Sequence, residues 1–283
     1  MRFKSALFII IILWCTPVFA SEGQPSSDWT FSLGAKVWYA AWIQQGTDFG
    51  SAYVFGPTLS VRRKNISFGG SYLTSSVFSK RVESEFDSSN TRKVDSQRDD
   101  IDLYVSYSFN TYFSLALGFK KSMVDVDYED TWNYDRISGE WILINNDRNH
   151  AETMDFSGLG LSVTGLLPIK DTQFFVHWAL SFSYMSLKWE AQTDWLQYDF
   201  YTEQEYKGHS DFSETDQVWA YGLEINGGYS FSHFVVTIGY RFNEFSTFET
   251  EQSVQMSPTV IHDYSRSGED RFHGPTVTIV FKL

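Results

Sequence analysis

Asp100 and Asp102, two carboxylates one residue apart, and His209 with Asp211, an imidazole and a carboxylate at the same spacing, are the groups here best suited to activate a water. Hydrolysis of that kind needs a base and an orienting acid within hydrogen-bond reach of one attacking atom. Alternate residues of a strand share a face, so each pair would present both groups to one side of a sheet. The chain has a single cysteine, Cys15, and six histidines, none paired at ligand spacing, so no metal and no cofactor are expected.

The elements that would position these groups begin after residue 20. Arg2 and Lys4 form a basic start, Ala6 to Trp14 an apolar stretch, and Pro17-Val18-Phe19-Ala20 ends on small residues, which predicts a signal peptide over 1–20 cleaved before Ser21. The apolar run is shorter than the roughly 20 residues of a spanning helix. A lipoprotein signal at Cys15 is opposed by Trp14, which stands where a small residue is needed. The mature chain 21–283 then has no cysteine, which excludes a disulfide framework. It holds 20 basic against 35 acidic residues, a net charge of −15 that argues against nucleic acid as a partner. Aromatics make up 18% of the sequence, a supply suited to a lipid-facing surface with interfacial girdles.

Period-two alternation recurs ten times. It is clear in Phe113-Leu115-Leu117-Phe119, in Phe174-Val176-Trp178-Leu180-Phe182-Tyr184 and in the closing Val277-Ile279-Phe281-Leu283, each with small or polar residues between. Tight turns near 63–65, 110–111, 169–171 and 232 alternate with long connections over 45–51, 79–98, 127–153, 188–215 and 245–271. The pattern predicts an all-β fold: a closed antiparallel transmembrane β-barrel of about 10 strands, with short periplasmic turns and long outer loops. An even strand number places both ends in the periplasm. Near Lys120-Lys121 the apolar parity of the fifth strand moves to Val124, Val126 and Tyr128, and the sixth strand shifts likewise at Met154 and Phe156. A pair of bulges or a hairpin rising above the lipid would produce that shift.

The polar parity lines a lumen too narrow for an open channel. Hairpin arithmetic sets Asp102 across from Lys120 and Glu224 across from Arg241, with Lys36 at similar depth. Buried charges need partners, which predicts a plugging network; a narrow small-solute channel is the alternative. His177 faces the same lumen. The third and fourth outer connections concentrate Trp132, Tyr134 and Trp141, then Trp195, Tyr198, Tyr201 and Tyr206, among acidic residues. Such surfaces suit an extracellular ligand or protein partner, or a divalent ion shared with lipopolysaccharide.

In strand number, size and connection pattern the mature chain resembles the omptin-type barrels, a group of surface proteases and non-enzymatic adhesins. The resemblance implies an acidic pair on one rim, which Asp100 and Asp102 would supply, and an Asp-x-His pair opposite. Here the second pair is inverted, as His209-Ser210-Asp211. The His-x-Ser pattern of outer-membrane phospholipases is absent at all six histidines. With no complete catalytic constellation, the expectation is a non-enzymatic, adhesin-like or structural barrel in the outer membrane of a Gram-negative bacterium. Its partners are outer-membrane lipid, lipopolysaccharide and a ligand at its loops; a surface endopeptidase is the alternative.

Overall fold

The computed structural model describes residues 29–44, 47–83, 91–137, 140–199, 204–247, 250–257, 260–266 and 269–283. The signal peptide expected over 1–20 lies outside them. The elements are β1 (Trp29–Gln44), β2 (Thr47–Arg63), β3 (Ile66–Ser75), β4 (Phe78–Glu83), β5 (Thr91–Ser108), β6 (Phe113–Ile137), β7 (Glu140–Pro168), β8 (Phe174–Asp199), β9 (Gln204–Ser230), β10 (Phe234–Thr247), β11 (Thr250–Ser257), β12 (Val260–Arg266) and β13 (Glu269–Lys282).

Hydrogen-bonded neighbours run β3-β2-β1-β13-β10-β9-β8-β7-β6-β5, and β3 pairs with β5 to close the ring. All pairings are antiparallel, giving a barrel of ten strands among the described residues. β4 prolongs the third wall position: Thr74 lies across from Asp99 of β5 and, after a break, Phe78 lies across from Ser96. β11 and β12 form a separate hairpin between β10 and β13. Closure removes every free edge at membrane depth, where an unpaired N–H or C=O would cost several kcal/mol.

The outer face carries a belt of exposed apolar side chains, among them Leu117 and Phe119 on β6, Leu159 and Leu161 on β7, Leu223 and Ile225 on β9, and Ile279 and Phe281 on β13. So broad an apolar surface is stable only against lipid. Tyr39, Tyr53, Tyr184 and Tyr240 mark one margin, and Tyr107, Phe113, Phe174 and Phe231 the other, toward the short turns. Just beyond the first margin the outer face becomes charged, with Lys121 on Asp155 at 2.6 Å, Lys188 on Glu190 at 2.6 Å and Arg271 on Glu244 at 3.0 Å.

The connections expected over 79–98, 127–153, 188–215 and 245–271 are built largely of strand. β7 alone has 29 residues, where a tilted bilayer crossing takes about 9–11. β6 and β7 pair in unbroken register from Phe113 opposite Gly165 to Trp132 opposite Asn146, so no bulge lies at Lys120-Lys121. The parity shift marks a hairpin leaving the lipid. Within the membrane the apolar residues face out, and above it Val124, Val126, Tyr128, Met154 and Phe156 face in and are buried.

The interior therefore has two halves. Toward the short turns it is small and polar; Tyr104, for example, lies over Gly69, where a Cβ would stand 2.4 Å from the tyrosine oxygen. Toward the long hairpins it is a packed core of Trp38, Trp42, Phe49, Val54, Leu73, Phe78, Val124, Met154, Phe156, Met185, Val218, Phe245 and Phe272. Trp42 stacks on Phe49 at 4.6 Å and on Phe272 at 5.5 Å, and Phe156 meets Phe245 at 4.8 Å. An apolar core closing half the lumen departs from the polar interior expected along the whole barrel.

Candidate functional site

Below the aromatic core lies a layer of charge. Register sets Arg241 opposite Glu224 and Asp102 opposite Lys120. Glu224 takes its ion pair from Lys36 at 2.5 Å and a hydrogen bond from Asn226 Nδ2 at 2.9 Å. Arg241 instead approaches Asp102, at 3.9 Å, with Lys120 on the other carboxylate oxygen at 3.8 Å. The pairing of Glu224 with Arg241 is thus corrected to Lys36–Glu224 and Arg241–Asp102, because β1 projects Lys36 across the lumen. With its amide oriented by the network, Asn243 accepts from Arg241 Nε and Nη2 at 3.2 and 3.1 Å.

Arg98 ends the outer connection expected over 79–98, but it lies inside the barrel. Its Nε donates to Asp100 Oδ1 at 2.9 Å, and its guanidinium rests 4.0 Å from the centre of the Phe272 ring and 5.4 Å from that of Phe245. The signal was its parity, shared with Asp100 and Asp102. Arg98 and Asp100 are 2% and 4% exposed, so Asp100 is a buried ion-pair partner rather than a rim acid. Removing one member of such a pair costs about 3–5 kcal/mol, because the other charge is left buried.

His209 stands elsewhere. Its Nδ1 meets Asp194 Oδ1 at 2.7 Å and its Nε2 meets Asp211 Oδ1 at 3.0 Å, in an exposed clasp between β8 and β9. The inward parity of β9 is even, as buried Val218, Ala220 and Asn226 show, so His209 and Asp211 face the outside of the wall. Glu224 shares the depth of Asp102, and His209 lies fifteen residues further along β9, about 50 Å of strand path. The acidic pair Asp100–Asp102 and the His209–Asp211 pair are thus on opposite faces of the wall and at different heights. They do not assemble a water-activating site.

A second histidine cluster has no counterpart among the residues singled out in the sequence. On the inner face of the long hairpins, His150 Nδ1 meets Thr193 Oγ1 at 2.6 Å and its Nε2 meets Glu152 Oε1 at 2.6 Å. Hydroxyl, imidazole and carboxylate in a row suggest a nucleophile with its base, but Thr193 is 4% exposed and its strand is paired on both sides. The residue is almost enclosed, and the ladder holds the backbone N–H groups that an oxyanion would need. The array clamps β7 to β8.

Trp132, Tyr134 and Trp141 fall in β6 and β7, and Trp195, Tyr198 and Tyr206 in β8 and β9; their side chains and Tyr201 lie outside the described residues. Among the described residues no group of three or more histidine, cysteine or acidic side chains is placed to hold a metal ion.

No family model matches the chain, and no curated protein matches it. Solved structures do. The outer-membrane protease OmpT of Escherichia coli aligns with a TM-score of 0.61 at 12% identity, over 93% of this chain and 100% of that one. The P. putida toluene transporter TodX aligns with a TM-score of 0.43 at 10% identity, over 92% and 91% of the two chains. The translocator domain of autotransporter NalP from Neisseria meningitidis aligns at 0.42 and 9%, over 90% and 88%. The fold is that of a bacterial outer-membrane β-barrel, ten-stranded and similar in architecture to the omptins.

Proposed function

We propose that this protein is a non-conducting, non-hydrolytic barrel of the outer membrane that displays its long hairpins to an extracellular ligand or protein partner. The observation that carries the reading is the packed core, Trp42, Phe78, Phe156, Phe245 and Phe272, which fills the barrel where the hairpins leave the lipid. A solid interior makes β6 to β9 a rigid stand for what they present, and rigid walls hold binding groups better than free loops do. Short turns are periplasmic in barrels of this kind, so the long hairpins face the cell exterior. Lys121, Lys188 and Arg271 stand just above the apolar belt, ion-paired with Asp155, Glu190 and Glu244, and cations in that position suit a lipopolysaccharide phosphate.

The endopeptidase reading is disfavoured because Asp100 and Asp102 face inward while His209 and Asp211 face outward. The channel reading is disfavoured by the core. The test is to incubate refolded protein with a peptide library, with and without lipopolysaccharide, beside the His209→Ala variant. We expect no cleavage, and ligand binding that is lost when the β8–β9 hairpin is shortened. Cleavage that disappears in His209→Ala would overturn the proposal.

A further inference from the structure

The short-turn end of the barrel carries a charge opposite to that of the chain. The sequence as a whole has a net charge of −13. At this end Arg62, Arg63, Lys64, Lys170 and Lys282 stand exposed, against a single acidic side chain, Asp171, among the described residues. With the C-terminal carboxylate counted, five positive and two negative groups leave +3. Pairing differs as well. At the other margin Lys80, Lys93, Lys121, Lys188 and Arg271 each sit on a carboxylate, at 2.6–3.0 Å. The contacts at the short turns neutralise no charge: Arg62 Nε donates to the Lys64 carbonyl at 2.9 Å, and Lys282 Nζ donates to Ser230 Oγ at 3.0 Å.

Four of the five cations gather in one sector. Arg63 lies across from Trp29 of β1 and Arg62 across from Thr30, while β13 sets Lys282 across from Ser32. Parity turns Arg63 and Trp29 to the lipid side and Arg62 and Lys282 to the lumen side. Lys64 stands at the tip of the turn with φ 52, a left-handed position that asparagine or glycine takes more readily. The Arg63 guanidinium lies 5.1 Å from the centre of the Trp29 ring. Trp29 is 40% exposed and joins the aromatic margin of Tyr107, Phe113, Phe174 and Phe231. Such a girdle sits at headgroup level, which brings the guanidinium stacked on it to the plane of the lipid phosphates. A guanidinium can grip phosphate oxygens with two parallel hydrogen bonds. Arg62 and Lys64, its chain neighbours, add to the potential there, since an exposed charge acts over about 8 Å at physiological salt.

We propose that this sector binds anionic phospholipid headgroups of the periplasmic leaflet, with Arg63 and Lys64 as the direct contacts. A zwitterionic headgroup gains less, because it brings its own cation to a surface that already has an excess.

Electron spin resonance of the refolded full chain in phosphatidylcholine vesicles tests the site. Spin-labelled phosphatidylglycerol and spin-labelled phosphatidylcholine are compared for the fraction immobilised at the barrel surface. Each exposed cation near an anionic surface favours it about five-fold. The expected result is a several-fold excess of immobilised phosphatidylglycerol that falls as salt is raised. Arg63→Gln combined with Lys64→Gln is expected to remove most of the excess. Lys93→Gln, at the other margin and paired with Asp95, is expected to leave it. Equal immobilisation of the two lipids, an excess insensitive to salt, or one that survives the double variant would overturn the proposal. If the double variant does not fold, Arg63→Lys combined with Lys64→Arg serves: it keeps both charges, and loss of the excess there would also contradict the assignment.

Discussion

Phe119 and Val124 stand on opposite faces of one unbroken strand, β6: Phe119 is 39% exposed on the outer surface, and Val124 is 2% exposed inside the barrel. Between them the membrane ends. The strand itself is regular, and what changes is which face the solvent requires to be apolar.

That boundary is measurable. Leu117→Arg, in the belt, is expected to cost about 2–4 kcal/mol in phospholipid vesicles if it lies near the bilayer midplane. Asp127→Arg, on the same face above the belt, is expected to change stability by less than about 0.5 kcal/mol. Urea titrations of refolded variants give both values. Equal costs at the two positions would contradict the placement of the lipid margin.

The packed core predicts an asymmetry between aromatic positions. Phe272→Ala removes a ring stacked on Trp42 and lying beneath Arg98, and is expected to cost about 3–5 kcal/mol. The same titration after the change checks the value. A cost below 1 kcal/mol would show that the upper lumen is not close-packed.

The Lys36–Glu224 pair is expected to behave as a unit. Lys36→Met leaves Glu224 with the Asn226 amide and the charge of Arg241 opposite it, but without its ion-pair hydrogen bond, and should cost about 3 kcal/mol. Adding Glu224→Leu should recover most of that loss, because no unpaired charge then remains. Additive losses in the double-mutant cycle would show that the two side chains do not interact.

Much of this architecture was legible from residue types. The strands of the lipid zone follow from parity, and the depth of Lys36, Asp102, Lys120, Glu224 and Arg241 follows from counting around tight turns. The partners of the charges did not follow, because Lys36 reaches Glu224 across a lumen whose width no hairpin count supplies. The core was hidden for a related reason. Trp38 and Trp42 sit on the polar parity of β1 and look like defects in the alternation until Phe272 of β13 is known to stack on Trp42, and Arg98 and Arg241 to lie over Trp38. The parity shift at Lys120-Lys121 was visible, but a bulge and an emerging hairpin leave the same trace. Arg98 shared the phase of Asp100, yet a polar, charged stretch reads as loop when the strand beneath it has already satisfied the membrane.

The clasp at His209 gives a pH signature. The hydrogen bond that the His209 imidazole donates to Asp194, with the charge of Asp211, holds its pKa above the usual range. A raised folded-state pKa means that the stabilisation is complete below the ordinary value near 6.5 and is lost as pH rises through the raised one. Histidine NMR titration of refolded protein should give His209 a midpoint above 6.5, lowered by Asp194→Asn. A midpoint at or below the ordinary value would show that the clasp is not formed in solution.

A lumen closed by Trp42, Phe78, Phe245 and Phe272 underlies the display function, and planar-bilayer recording of the refolded protein tests that closure directly. The predicted record shows no steady conductance in the wild type at any holding potential that leaves the bilayer intact. A stable, porin-sized conductance would contradict the closed interior and the display function inferred from it.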